Sequence, residues 1–239
     1  MRIRIVAPII GDWFLEETKK EAEQFKAPDT MIDVVGLDKG PASIESAYDE
    51  VLASPHIVER VRQAEADGCD GVFITCFGDP GVEASREMVS IPVVGGFQPA
   101  ALTASLIAGR WSVVTVLKSV VPLLRGLARK AGLEGNIASI RDINTPVLEL
   151  SNKELMQSRL LEQIEQAVSQ DGAEAVVLGC TGMLGLGESL RKALTQKGIA
   201  VPIVEPTAAA IGMLESLVRS RISHSKLAYP TPPAKERVA

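Results

Sequence analysis

One pattern occurs twice in this chain, and every matched position of the second copy lies 104 residues (180 minus 76) after the first. The first copy reads Asp67-Gly-Cys-Asp-Gly-Val-Phe-Ile-Thr-Cys76-Phe-Gly78-Asp-Pro-Gly81. The second reads Asp171-Gly-Ala-Glu-Ala-Val-Val-Leu-Gly-Cys180-Thr-Gly182-Met-Leu-Gly185. Each is Asp-Gly, an acid two residues on, an apolar run, then Cys-x-Gly-x-x-Gly. A short Pro-led apolar run follows each copy, at residues 91–94 and 201–204. A repeat of this size predicts two similar lobes related by a pseudo-two-fold axis. Two thiols facing each other across that axis can touch opposite faces of one small molecule. Such an arrangement suits moving a proton from one face of a carbon to the other.

Around the repeat, strand-like apolar runs alternate with amphipathic helices, the βα pattern of a parallel sheet. Strands are expected at residues 2–8, 31–36 and 71–75, and again at 111–117 and 175–178. Asp12 is expected to cap the helix that follows the first strand, with Glu16 and Glu17 in its first turn. Ser54-Pro55 reads as an N-cap followed by proline at the first helical position. Further helices are expected at 123–130, 155–168 and from Pro206 to about Arg219. The repeat offset, and a last helix with no strand after it, predict a discontinuous division. Residues 1–97 plus 207–222 form the N-terminal α/β lobe, 98–206 the second lobe, and 223–239 a tail. That tail is rich in proline and poor in apolar residues, so it is expected to be disordered or to clamp a neighbouring molecule.

Bulk properties narrow the function classes. The 239 residues are 46% hydrophobic, enough for a packed core. No apolar run is long enough to span a membrane, and the alternating start Met1-Arg-Ile-Arg-Ile-Val does not read as a signal peptide. A cytoplasmic protein is expected, and its three cysteines are then thiols rather than bridges. The net charge of −5, without a basic cluster, argues against a nucleic-acid partner. A small-molecule substrate and a homo-oligomer are expected instead, with no membrane partner.

Both repeat cysteines fall where a strand ends and a glycine-containing turn leads on, the edge at which open α/β sheets bind ligands. Packing alone gives no reason for a thiol at both matched positions. Cys69 has no counterpart, because Ala173 fills its place, and it reads as structural. The two histidines, His56 and His224, neighbour neither motif. A Cys–His diad, a His-based metal site and an organic cofactor loop are therefore unsupported, and no cofactor is expected. The remaining activator is a helix N-terminus, worth up to about 2 kcal/mol to a partly buried anion. It would lower a thiol pKa by up to ~1.5 units from about 8.5. One thiolate beside one thiol is then the expected resting state, since a second anion would be repelled by the first. The backbone N–H groups of Phe77, Gly78, Thr181 and Gly182 are expected to point at a substrate oxygen and stabilise an enolate.

Four segments carry a family resemblance: Gly40-Pro-Ala-Ser-Ile-Glu45 with Tyr48-Asp-Glu50, Cys76-Phe-Gly-Asp-Pro-Gly81, Ser112-Val-Val-Thr115, and Leu178-Gly-Cys-Thr-Gly-Met183. They resemble the hydantoin racemase family within the aspartate/glutamate racemase superfamily. The resemblance implies an α/β fold of two pseudo-symmetric lobes, each with a parallel four-stranded sheet, and a cofactor-free site in the cleft between them. It implies that Cys76 and Cys180 are the acid/base residues of a racemase acting beside a ring carbonyl, as in 5-substituted hydantoins or allantoin. With the resemblance, Ser43 and Thr115 in these segments and Pro8 and Ile9 at the end of the first strand become expected substrate contacts. One departure stands out. The family follows its first strand with Asn-Pro-Asn, whereas this chain has Ala7-Pro8-Ile9-Ile10 and lacks both amides. Such a loss changes the favoured substrate more than the chemistry. Competing readings are an amino-acid racemase or cis–trans isomerase on the same fold, an arylmalonate-type decarboxylase, a binding protein without catalysis, and a thiol-redox protein.

Overall fold

The computed structural model describes residues 1–236. The first half of the chain contributes β1 (Arg2–Ile10), α1 (Leu15–Phe25), β2 (Met31–Leu37), α2 (Ala47–Ala66), β3 (Gly71–Ile74), α3 (Val82–Met88) and β4 (Val93–Val94). The helix α4 (Phe97–Ile107) leads into β5 (Trp111–Thr115), α5 (Val121–Lys130), β6 (Ile137–Asp142) and α6 (Lys153–Asp171). The chain continues with β7 (Ala175–Leu178), α7 (Gly187–Gln196), β8 (Ile203–Val204) and α8 (Pro206–Arg219). Two four-stranded sheets result, ordered β2-β1-β3-β4 and β6-β5-β7-β8, with every pair parallel. Their registers match. Ile3 lies opposite Gly71 as Trp111 lies opposite Ala175, and Val72 opposite Val93 as Val176 opposite Ile203. The repeat offset thus runs through the strands that carry the cysteines.

Both β3 and β7 are wholly buried, as expected of strands covered by helices on two faces. On one side of the first sheet, Ile57, Val61 and Ala64 of α2 pack with Val72 and Ile74. On the other side lie Ala210, Ile211 and Leu214 of α8, against Ile3, Ile5, Phe73 and Val94. Conversely, α4 buries Phe97, Ala100, Ala101 and Ala104 with Trp111, Val113 and Val177 of the second sheet. Each sheet is therefore covered partly by a helix that follows the other sheet in sequence. Cys69 lies in the first sheet's core. Among the described residues no helix is long and apolar enough to cross a membrane.

Three local expectations are corrected. The helix expected to start at Ser54-Pro55 starts at Ala47. Ser46 is its N-cap, accepting from the Asp49 N–H at 3.2 Å while its own hydroxyl donates to the Asp49 carboxylate at 2.7 Å. Pro55 sits inside this helix, and the Ser54 hydroxyl turns back to the Glu50 carbonyl at 2.6 Å. Asp12 is not a side-chain cap either; only its carbonyl engages, accepting from the Leu15 N–H at 3.2 Å. Finally, the described part of the tail is ordered rather than disordered. It lies along its own chain's first lobe. His224 Nε2 accepts the Val93 N–H at 2.7 Å, filling the open edge of β4. The Lys226 ammonium donates to the carbonyls of Arg86, Glu87 and Val89, an arrangement favoured at a helix C-terminus. The Tyr229 hydroxyl accepts from Arg86 at 3.1 Å. Polar anchors thus hold a segment whose composition offered no apolar face. Residues 237–239 of the tail lie outside the described residues.

Candidate active site

The strands β3 and β7 occupy matched positions in the two separate sheets and end at Ile74 and Leu178, each two residues before a repeat cysteine. Cys76 and Cys180 are thereby delivered to the same cleft. Two small adjoining cavities, of about 40 and 50 Å³, are each lined by both residues. Ile44, Phe77 and Val147 also border both. The first adds Glu50, Gly78, Thr115 and Gly179; the second adds Pro8, Ile9, Phe14, Thr75, Thr181 and Gly182. The cleft is nearly shut around the thiols. Larger cavities of about 370 and 520 Å³ open elsewhere and include neither cysteine.

The turns after the strands hold the sulfurs. The Gly182 N–H donates to Cys180 Sγ at 3.3 Å, and the Gly78 N–H serves Cys76 in the same way. These two N–H groups were expected to face a substrate oxygen; they face the thiols instead, because Cys-x-Gly curls back on its own side chain. The N–H groups of Phe77 and Thr181 donate to no protein group among the described hydrogen bonds and remain available. The Phe77 ring is buried edge-on against Phe97, with centroids 5.5 Å apart. The Thr181 hydroxyl donates to the Thr75 carbonyl at 2.9 Å, joining the two cysteine turns directly. Thr115 is reached by the cavity, but its hydroxyl is committed to the Gly179 carbonyl at 3.0 Å. Ser43 borders neither cavity; its neighbour Ile44 borders both.

Electrostatics overturn the expected resting state. Both residues keep some contact with solvent, yet burial is the largest influence on each thiol and pushes its pKa up. Cys180 is pushed up to about 11. Cys76 is pushed higher still, with the charges of Cys180, Glu50 and Asp79 adding to burial. The hydrogen bonds from Gly78 and Gly182 oppose this but do not balance it. Loss of water around a thiolate outweighs a single N–H donor. The free protein therefore holds two thiols, and Cys180 is the easier to ionise.

Several residues absent from the sequence expectation shape the site. Thr75 precedes Cys76, and its buried hydroxyl has no hydrogen-bond partner among the described residues. The Glu45 carboxylate accepts from the Val147 N–H at 2.6 Å, and Ser119 donates to the Glu45 carbonyl at 3.2 Å, tying one wall of the cleft to the other. Glu21 accepts from the Gly185 N–H at 3.0 Å and the Thr207 hydroxyl at 2.8 Å, fixing the loop that leaves Cys180. Asp79 accepts from the N–H groups of Phe97 and Gln98 at 2.8 and 3.2 Å, so the turn after Cys76 caps α4. The Asp79 signal was present in Cys-Phe-Gly-Asp-Pro-Gly, and Glu50 stood in the Tyr48-Asp-Glu50 segment. Val147 carried none.

Two pseudo-symmetric α/β lobes, with a thiol delivered to one cleft from the matched strand of each, define the racemase class of two-lobed enzymes. The chain belongs to the Asp/Glu/Hydantoin racemase family, whose model matches residues 6–214, and it is an isomerase of the racemase type. It is similar to the hydantoin racemase of Paenarthrobacter aurescens, with 36% identity covering 99% of both chains. Among solved structures it is similar to the allantoin racemase from Klebsiella pneumoniae, at 34% identity and TM-score 0.94, covering 100% of this chain and 96% of that one. The allantoin racemase from Pseudomonas fluorescens gives 33% identity and TM-score 0.93 with 100% of both chains covered.

Proposed function

We propose that the protein racemises 5-substituted hydantoins, with Cys76 and Cys180 as the acid and base on opposite faces of the ring and no cofactor. The observation that carries this reading is the pair of half-buried thiols at matched strand ends, both bordering the same two cavities. In each turnover one sulfur removes the proton at the stereocentre and the other returns a proton to the opposite face. The free N–H groups of Phe77 and Thr181 and the unpartnered Thr75 hydroxyl supply donors for the oxygen of the enolate.

The surroundings favour an apolar ring substituent over the polar ureido group of allantoin. Ile9 stands where the resemblance would place an amide, and it packs with Phe14 and Leu184. An adjoining cavity of about 210 Å³ is walled by Trp13, Phe14, Val147, Leu150, Met156 and Leu184. It shares Trp13, Phe14, Val147 and Gly182 with the cysteine cavity. A benzyl or isobutyl group entering it would bury apolar area at about 25 cal/mol per Å².

The test is exchange in D2O with single enantiomers of 5-benzylhydantoin, 5-isobutylhydantoin, allantoin, aspartate and glutamate. Deuterium should enter the apolar-substituted hydantoins fastest. Cys76→Ser and Cys180→Ser should each lose inversion by about 10³-fold or more while slowly exchanging opposite enantiomers. Near-normal inversion in either variant, or exchange of one enantiomer by both, would remove the two-thiol assignment. Faster turnover of allantoin than of both apolar hydantoins would remove the substrate preference.

A further inference from the structure

Glu50 is a carboxylate that the two-thiol chemistry does not use. It projects from α2 into the cavity bordered by Cys76 and Cys180. Its carboxylate lies against the Cα of Gly78. A Cβ built there would collide with Glu50 Oε1 while sitting 3.7 Å from Cys76 Sγ. Carboxylate oxygen and sulfur thus approach the same face of Gly78, and with Glu50 in this position no side chain fits there. Among the described residues no hydrogen bond engages the Glu50 carboxylate, although its backbone carbonyl accepts from Ser54. The titratable groups acting on it are Asp79, from the turn after β3, and Asp49 on its own helix. Asp79 in turn feels Arg86. The influence is selective, because Glu50 acts on the ionisation of Cys76, whereas Glu45 and Glu21 act on that of Cys180.

We propose that Glu50 is the proton-exchange partner of Cys76, carrying protons between its sulfur and solvent. This inference rests on the two-thiol reading and deepens it. A turnover in which Cys76 removes the substrate proton ends with Cys76 as thiol and Cys180 as thiolate, so the protein must reset before using the same enantiomer again. In the reset, the S–H bond of Cys76 breaks and its proton passes to the Glu50 carboxylate, directly or through one water. The carboxylic acid gives that proton to solvent, and Cys180 takes one proton from solvent. One proton leaves and one enters, and no electrons move. Glu50 suits this role because burial, reinforced by Asp79 and Asp49, pushes its pKa up to about 7, so it exchanges protons readily in both directions near neutral pH.

Because enantiomers have equal free energies in water, kcat/KM for inversion must be equal in the two directions. The asymmetry is therefore read from solvent exchange in single-thiol backgrounds. The probe is each enantiomer of the panel hydantoin that the wild-type protein inverts fastest. In the Cys180→Ser background, exchange driven by Cys76 should fall by about 10²-fold on adding Glu50→Gln. In the Cys76→Ser background, Glu50→Gln should leave exchange driven by Cys180 within about twofold, which also reports that the fold is intact. Glu50→Asp should restore part of the Cys76-driven exchange. In the Cys180→Ser background the rise of that exchange with pH should change slope near pH 7, where the Glu50 carboxylate forms, and Glu50→Gln should remove this inflection and leave only the steady rise from thiol ionisation. Equal losses in both backgrounds, no loss in either, or an inflection near pH 7 that survives Glu50→Gln would each overturn the proposal. If the two serine backgrounds fail to divide the enantiomers between them, the two-thiol reading itself has failed.

Discussion

On the proposed two-thiol reading the cysteines carry the chemistry, and their surroundings decide when it runs. Burial raises both thiols, with Cys180 near 11 and Cys76 above it. Proton abstraction needs a thiolate, whose fraction below its pKa grows tenfold per pH unit. With Cys180 as the first base, log kcat/KM should therefore climb with a slope of about one between about pH 7.5 and about pH 9.5. Initial rates at low substrate concentration measure this. A maximum at or below about pH 8 would mean that burial in the free protein does not set the working ionisation. The identity of the thiols was legible in the sequence, because only their positions repeat with glycine turns behind them. Their ionisation was not. A helix N-terminus can be read from a chain, whereas the depth of protein around a sulfur depends on the opposite lobe. Glu50 was likewise visible only as a letter in a segment until α2 brought it against Gly78.

At the scale of elements, the strands were easier to read than the helix starts. The bounds of β7 and α8 match the runs expected at 175–178 and from Pro206 to about Arg219, because both are marked by strong local signals. The start of α2 was missed because Ser54-Pro55 imitates a cap, while the Ser46–Asp49 pair that caps the helix lies two turns earlier. The turn after Cys76 couples elements that no local reading connects. Asp79 adopts a left-handed φ of 51° and carries the cap of α4, its carboxylate pressed against Gly95, where any Cβ would collide with it. Asp79→Ala should destabilise the protein by about 2–3 kcal/mol, from the lost cap plus a strained φ. Asp79→Asn should cost clearly less, since asparagine tolerates this φ and keeps an acceptor. Urea denaturation measures both. Equal losses would mean that the charge, rather than the cap geometry, holds the turn.

Across the whole molecule, carboxylates at the junctions make stability depend on pH. Burial is the largest influence on Glu21, Glu50 and Asp79, pushed up to about 7, 7 and 6. A folded pKa above the unfolded value means that the folded state holds the proton more tightly. This contribution is complete below about pH 4 and is lost as pH rises through 6 to 7. His224 works oppositely, since burial pushes it down to about 4 and its neutral form is favoured as pH rises toward 6.5. Three carboxyl groups against one imidazole should lower the urea midpoint between about pH 5.5 and about pH 7.5. Glu21→Gln should flatten that dependence, and a midpoint that rises over this range would refute it. The sequence by itself determined the two matched α/β halves, the strand ends and the thiols placed there, because period, glycine turns and repeat offset are local properties of the chain. Only the tertiary structure decided which helix covers which sheet, how the tail is anchored, what the N–H groups face and how reluctantly the thiols ionise. Each of these depends on atoms distant in sequence, and on the water that their packing removes.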